Sequence, residues 1–380
     1  MADLAYINPQ MLSRAQEQAE VSVDELSRVA GTAPEKVQRW LTGQDKPTLM
    51  QAQKLADQLY IPFGYLFLPY PPDESVPLPD LRTVSDRGIQ GKISVNLRDT
   101  IVAVLLRQEW YKEYLKEQDA PALTFIGSVS MDTPPEKVAE VIKAFLFPDG
   151  VDPGAMTWEE YQRRIIHSAE NAGILVMRSG IVDSNTHRPL SVKEFRGFAI
   201  SDPLAPVIFI NLADAPSARL FTLIHEVTHL WIGVSGISSV GVHDEHNTEK
   251  FCNQVAGDFL MPGADTRVLW KPEHTTEENV AALARRFHVS RYVVVRRAYD
   301  LQLVMYEEYR RYYLSLLKDY RASEAGPDEF YAVIQDRNSL PFYRAVLDEA
   351  LSGRVLLRDA GRLLGVAPGK LKHLAQHFRD

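Results

Sequence analysis

The chain has 380 residues, of which 45% are hydrophobic and 24% charged, and its formal net charge is −8. That length provides for two or three domains with buried cores, and the acidic balance argues against the chain as a whole coating nucleic acid. A single cysteine excludes an internal disulfide framework and suits a reducing cytoplasm. The first residues lack a basic segment followed by an apolar core, and no apolar run approaches the length of a membrane span. A cytoplasmic chain with no membrane partner is therefore expected.

Residues 1–69 read as a small all-α domain. A helix starts at Pro9. Ser22-Val-Asp-Glu25 is a capping box opening a second, Gly31-Thr32 makes a turn, and Pro34 sits in the first turn of a third that ends at Leu41. A fourth helix runs from Leu49 to Tyr60. The pattern Val23-x-x-Leu26-x-x-Val29-Ala30-Gly31, followed by Val37-x-x-Trp40-Leu41, resembles the Xre/Cro-type helix-turn-helix family. That resemblance implies that Thr32, Glu35, Lys36, Gln38 and Arg39 face the major groove of operator DNA. The charge tempers this reading, because residues 1–60 carry six basic side chains against eight acidic ones, a net −2. Phosphate contacts dominate DNA affinity, so such a domain could instead pair two chains into a homodimer or dock a repressor protein.

Residues 70–92, with Pro71, Pro72, Pro77 and Pro79, read as a semi-extended linker. Residues 93–153 read as a helical spacer with helices over Ser94–Glu117 and Pro135–Phe145. From residue 154 to 270 the pattern changes to a helix with a Thr157-x-x-Glu160 capping box, then strands. The strands are expected from Gly173, over Glu194–Ser201 and over Ala205–Asn211. Val207–Ile210 is apolar on both faces and reads as buried, whereas Phe195–Ile200 is the better candidate for an edge that holds an extended substrate.

The stretch on which the chemistry centres is Phe221-Thr-Leu-Ile-His225-Glu226-Val-Thr-His229. Two histidines four apart lie on one helical face, so both imidazoles can reach one metal ion, and Glu226 is placed to take a proton from a bound water. A third ligand is needed, with one position left open. Glu249, twenty residues beyond His229, heads a helix whose Cys252, Ala256 and Leu260 recur on the same apolar face. The competing reading makes it a solvated glutamate. Asn253, one turn further, could accept from the free ring nitrogen of His225. His243 and His246 are candidates for an oxyanion donor, although most loop histidines are only exposed. Cys252 could bind metal, but a buried apolar cysteine is the commoner outcome.

The run from Phe221 to Leu230, together with Glu249-x-x-Cys252-Asn253-x-x-Ala256 and Met261-Pro262, closely resembles the ImmA/IrrE family of bacterial metallopeptidases over about residues 155–300. The resemblance implies cleavage or control of a helix-turn-helix repressor, often in phage-like elements or stress responses. Residues 271–380 read as a helical C-terminal region. Its part Thr276–Ala298 resembles a helix-turn-helix-like element of the family and concentrates Arg285, Arg286, Arg291, Arg296 and Arg297. Leu357-Arg-Asp-Ala-Gly-Arg-Leu-Leu-Gly-Val-Ala looks like one more small helical module, with no chemistry assigned to it.

The expected fold is thus multidomain and mainly α: an all-α helix-turn-helix domain, then an α+β zincin-like metallopeptidase domain with a small sheet, then a helical C-terminal region. The expected function is a metal-dependent endopeptidase, with Zn²⁺ or alternatively Mn²⁺, that regulates transcription by cleaving a repressor or antitoxin protein. The alternative is a DNA-binding repressor, or the antitoxin of a toxin-antitoxin pair, whose metal site is structural or sensory.

Overall fold

Local capping chemistry sets the first helices. In the computed structural model, which describes residues 3–19, 21–72, 93–238, 247–319 and 337–376, the N-terminal unit contains α1 (Pro9–Ala19), α2 (Val23–Ala30), α3 (Pro34–Leu41) and α4 (Leu49–Gln58). Ser22 and Glu25 cap α2 reciprocally, as Thr48 and Gln51 cap α4. Gly31 ends α2 at φ 63°, a left-handed conformation that glycine adopts without steric cost. Met11, Leu12, Leu26, Val37, Trp40 and Leu55 are fully buried and form this unit's own core. The expected linker falls almost wholly outside the described residues.

The long helix α5 (Val95–Glu117) leaves the N-terminal unit near Val102, and all that follows belongs to a second unit. That unit holds α6 (Pro135–Leu146), α7 (Trp158–Asn171), α8 (Pro216–Trp231), α9 (Asn247–Leu260), α10 (Gly263–Leu269), α11 (Thr276–Phe287), α12 (Arg291–Asp300) and α13 (Tyr306–Asp319). Its four-stranded mixed sheet comprises β1 (Leu175–Ser179), β2 (Gly197–Ile200), β3 (Val207–Asn211) and β4 (Gly236–Ser238), in the order β1-β3-β2-β4. β1 runs parallel to β3, while β2 is antiparallel to both of its neighbours.

Every residue of β3 is buried, as its two-sided apolar pattern requires. The expectation that Phe195–Ile200 forms an edge is overturned: β2 lies between β3 and β4 and is buried along its whole length. The strand that displaces it, β4, has three residues, too few for an alternating pattern to be seen in the sequence. Arg196, just before β2, lies 3.5 Å from the buried carboxylate of Asp214.

One core gathers Phe125, Ile142, Ile165, Ile208, Leu223, Phe259, Leu283 and Val294. Residues expected as a spacer, a peptidase domain and a C-terminal region thus share a single apolar interior. Pro262 ends α9 as expected, but it also leads straight into α10, an element the sequence pattern did not suggest. Two arginines of the α11–α12 cluster tie it to other elements, and a third pairs within its own helix. Arg286 pairs with Asp152 at 2.8 Å, Arg296 with Asp300 at 3.1 Å, and Arg297 with Asp258. Among the described residues no helix is long and apolar enough to cross a membrane.

Candidate metal centre

Helix α8 is held rigidly before its chemistry begins. Pro216 occupies its first turn, and the Arg219 guanidinium donates to the carbonyls of Asp214 and Leu212. From Thr222 to Trp231 every residue is buried. The i, i+4 spacing then turns both imidazoles to one side, with their Nε2 atoms 3.2 Å apart.

Glu249, in the first turn of α9, closes the triangle. Its Oε2 lies 3.0 Å from His225 Nε2 and its Oε1 lies 3.1 Å from His229 Nε2. The Glu249 carboxylate straddles the histidine pair with one oxygen on each Nε2, so two imidazoles and a carboxylate converge on one place. Two imidazoles and a carboxylate are also the donor set of an open catalytic site. The two histidines hold the Glu249 carboxyl well below the usual carboxylate range, against the opposing effect of burial. His225 Nδ1 lies 3.0 Å from Asn253 Oδ1, an acceptor that orients the ring with Nε2 toward the triangle.

Cys252 competes for the same place. Its thiol and the two imidazoles lie within 4.8 Å of one another, and all three residues are buried. Burial, then Glu249 and Glu226, push the thiol well above its ordinary pKa. The carboxylate makes the tighter triangle.

Glu226 stands beside this cluster and outside the triangle. It is fully buried, and among the described residues its carboxylate oxygens have no hydrogen-bond partner beyond the approach of the Ser238 hydroxyl, while His229 Nδ1 is likewise buried without one. Burial pushes the Glu226 carboxyl up to about 8, with His229 and the Ser238 hydroxyl opposing and Glu249 adding to the rise. The carboxylate lies against the backbone of β2 at Gly197. A Cβ there would stand 2.9 Å from Glu226 Oε1 and 2.8 Å from Thr222 Cγ2, so only glycine leaves room for it. Gly197 carries no polar atom in its side chain, so a search for reactive residues passes over it.

His243 and His246 lie outside the described residues. On α3, Gln38 and Arg39 are exposed and Lys36 half-buried, as is Thr32 in the turn before it; the Lys36 ammonium sits 6.0 Å from the Trp40 ring centre and Arg39 3.7 Å from Asp45.

Two buried imidazoles with a carboxylate against them, one buried carboxyl beside them and a mixed sheet against their helix are consistent with an α+β zincin-like domain. Comparison with known families narrows it. Residues 169–299, roughly a third of the chain, match the IrrE N-terminal-like domain, which supports a metallopeptidase domain of the ImmA/IrrE type. Residues 338–377 match a domain of unknown function (DUF8813). No curated protein matches the chain.

Proposed function

We propose that the chain is a cytoplasmic metal-dependent endopeptidase in which His225, His229 and Glu249 hold one divalent ion and Glu226 is the general base. The observation that carries this reading is the Glu249 carboxylate 3.0–3.1 Å from both histidine Nε2 atoms, with the fully buried Glu226 carboxylate beside them. A bound Zn²⁺ or Mn²⁺ would supply Lewis acidity and bring the pKa of a water in the open position from ~16 towards ~7. Glu226 takes the proton of the attacking water and passes it to the leaving nitrogen of the peptide. Burial raises the proton affinity of this carboxylate, which makes it a stronger base for the first transfer. Asn253 keeps the His225 ring in register through Nδ1.

The substrate is an extended segment of a repressor or antitoxin protein, added as a strand to the sheet edge. β4 is the edge nearest the cluster, since a Cβ at Gly236 would stand 3.5 Å from His229 Cε1. The N-terminal unit is read as a helix-turn-helix domain, supported by the glycine turn between α2 and α3 and the exposed Gln38 and Arg39. A DNA-binding repressor or antitoxin with a structural or sensory metal site is the second reading, and the buried Cys252 beside the two histidines is what favours it.

The test is incubation of the purified, metal-loaded chain with the small DNA-binding proteins encoded beside its gene, read by intact-mass spectrometry. Discrete fragments that vanish with chelator and with Glu226→Gln support the peptidase. Metal-loaded chain that leaves all of these proteins intact, while binding one of them or DNA, supports the second reading.

A further inference from the structure

A C-terminal module that takes no part in the metal centre is net basic in an acidic chain. Residues 337–376 carry seven basic side chains (Arg337, Arg344, Arg354, Arg358, Arg362, Lys370, Lys372) against three acidic ones (Asp348, Glu349, Asp359). That is a net charge of +4, so the rest of the chain carries −12.

The module consists of α14 (Leu340–Leu351), α15 (Leu357–Leu364) and α16 (Leu371–Gln376). Between α15 and α16 the connection is three residues long, Gly365 to Ala367, followed by one 3₁₀ turn at Pro368–Lys370 that runs directly into α16. Gly365 takes φ 68°, and a Cβ at Gly361 would stand 2.7 Å from the Val366 carbonyl, so two glycines allow the chain to fold tightly back over α15. Ala360, Leu364, Leu371 and Leu374 are buried, as are Phe342, Val346 and Ala350 of α14. Two short helices joined by six residues, a glycine-containing turn and one 3₁₀ turn, and backed by a third have the element order of a helix-turn-helix.

The module is bolted to the peptidase core by its other side. Ser339 Oγ accepts from the Val176 N–H of β1 at 3.1 Å and donates to Glu170 at 2.5 Å. Arg107 donates to the Leu363 carbonyl and Arg337 to Ser184 Oγ. Meanwhile Arg358 and Arg362, one turn apart on α15, and Lys370 and His373 beyond the turn are all exposed. Arg362 has no carboxylate within ion-pair distance among the described residues, and Arg358 is 81% exposed beside Asp359.

We infer that this module binds double-stranded DNA, with Arg358, Arg362 and Lys370 on phosphates and the exposed His373 side of α16 toward the major groove. Electrostatic attraction to a polyanion supplies most of non-specific DNA affinity, and this module has the positive charge that the N-terminal unit lacks. Duplex DNA is favoured over duplex RNA because the major groove of A-form RNA is too narrow and deep to admit a helix. The inference does not depend on the peptidase reading.

The test uses the full chain and a labelled random-sequence DNA duplex, titrated by fluorescence anisotropy from about 50 to 200 mM salt. Wild type should bind with affinity that falls steeply with salt. The triple variant Arg358→Ala, Arg362→Ala, Lys370→Ala should lose about tenfold or more at the low-salt end, and its log–log salt slope should shrink by about 2–3. Charge-keeping replacements (Arg358→Lys, Arg362→Lys, Lys370→Arg) should keep the slope, which separates charge from misfolding. Lys116→Ala with Lys137→Ala, at exposed lysines outside the module, should leave this non-specific affinity within about twofold. The inference is overturned if wild type does not bind duplex at about 50 mM salt, if the alanine triple binds as wild type does, if the charge-keeping triple loses as much as the alanine triple, if the Lys116 and Lys137 changes cost as much as the alanine triple, or if single-stranded RNA is bound more tightly than duplex DNA.

Discussion

Helices α8 and α9 and helices α2 and α3 are two pairs of helices that each present a set of polar candidates, and they do so in opposite ways. In the first pair the candidates are enclosed and in contact: His225, His229 and Glu249 lie within 3.0–3.2 Å of one another, and Asn253 and Glu226 are packed around them. In the second pair Gln38 and Arg39 face solvent, and nothing on α3 draws them toward a common point. Enclosed groups carry their chemistry in their own geometry. Exposed groups acquire theirs only from a partner, so single substitutions should read very differently in the two places.

The largest expected effect is at Glu226. Glu226→Gln keeps the shape and the donor triangle but removes the base, so cleavage should fall by about 10²–10⁴ with metal content unchanged. Steady-state cleavage of an identified substrate, with metal analysis alongside, measures both. In the N-terminal unit the contrast is between core and surface. Trp40→Ala should cost about 3–5 kcal/mol, because Trp40 is fully buried, whereas Arg39→Ala should stay within about 0.5 kcal/mol. Chemical denaturation of the full chain checks the pair. If Arg39→Ala proves as costly as Trp40→Ala, α3 is not a free surface.

Asn253→Ala should weaken metal binding by about 10–100-fold, the usual cost of losing the group that orients a ligating imidazole. Competition with a chromogenic chelator reads this, and an unchanged affinity removes Asn253 from the centre. The smallest effect is at Glu170. Burial raises its carboxyl above the ordinary 4.5, although Ser339 and the Leu340 N–H both donate to it. A carboxyl raised in the fold contributes stability below pH 4.5 and loses it as the pH rises through the folded pKa. Glu170→Gln keeps an acceptor without the charge, so its melting temperature should exceed that of wild type at pH 7–8 and converge with it below pH 4.5. Thermal melts across that range are the check, and the opposite ordering would mean the carboxylate charge itself is stabilising.

That His225 and His229 share one side of α8, and Glu249 and Asn253 one side of α9, was legible because helical spacing converts sequence directly into position, whereas the meeting of the two helices was expected only from the family resemblance. Three and four residues apart on a helix are neighbours whatever the tertiary fold. The cap at Ser22–Glu25 and the turn at Gly31 were legible for the same local reason. The features that escaped are tertiary. No local pattern reveals that Glu226 rests on Gly197 of another strand, or that three residues at Gly236–Ser238 pair with β2 and take the edge from it. The single core that joins residues from Phe125 to Val295 is likewise written in long-range packing and not in any one segment.

The central claim is that two histidines and Glu249, not Cys252, hold the ion. Metal content per chain, measured by plasma mass spectrometry on wild type, His229→Ala, Glu249→Gln and Cys252→Ser after loading and desalting, tests it most directly. The account predicts one divalent ion per chain in wild type and in Cys252→Ser, and its loss from His229→Ala and Glu249→Gln. Retention in Glu249→Gln with loss from Cys252→Ser would contradict it, and would make the site a His–His–Cys centre.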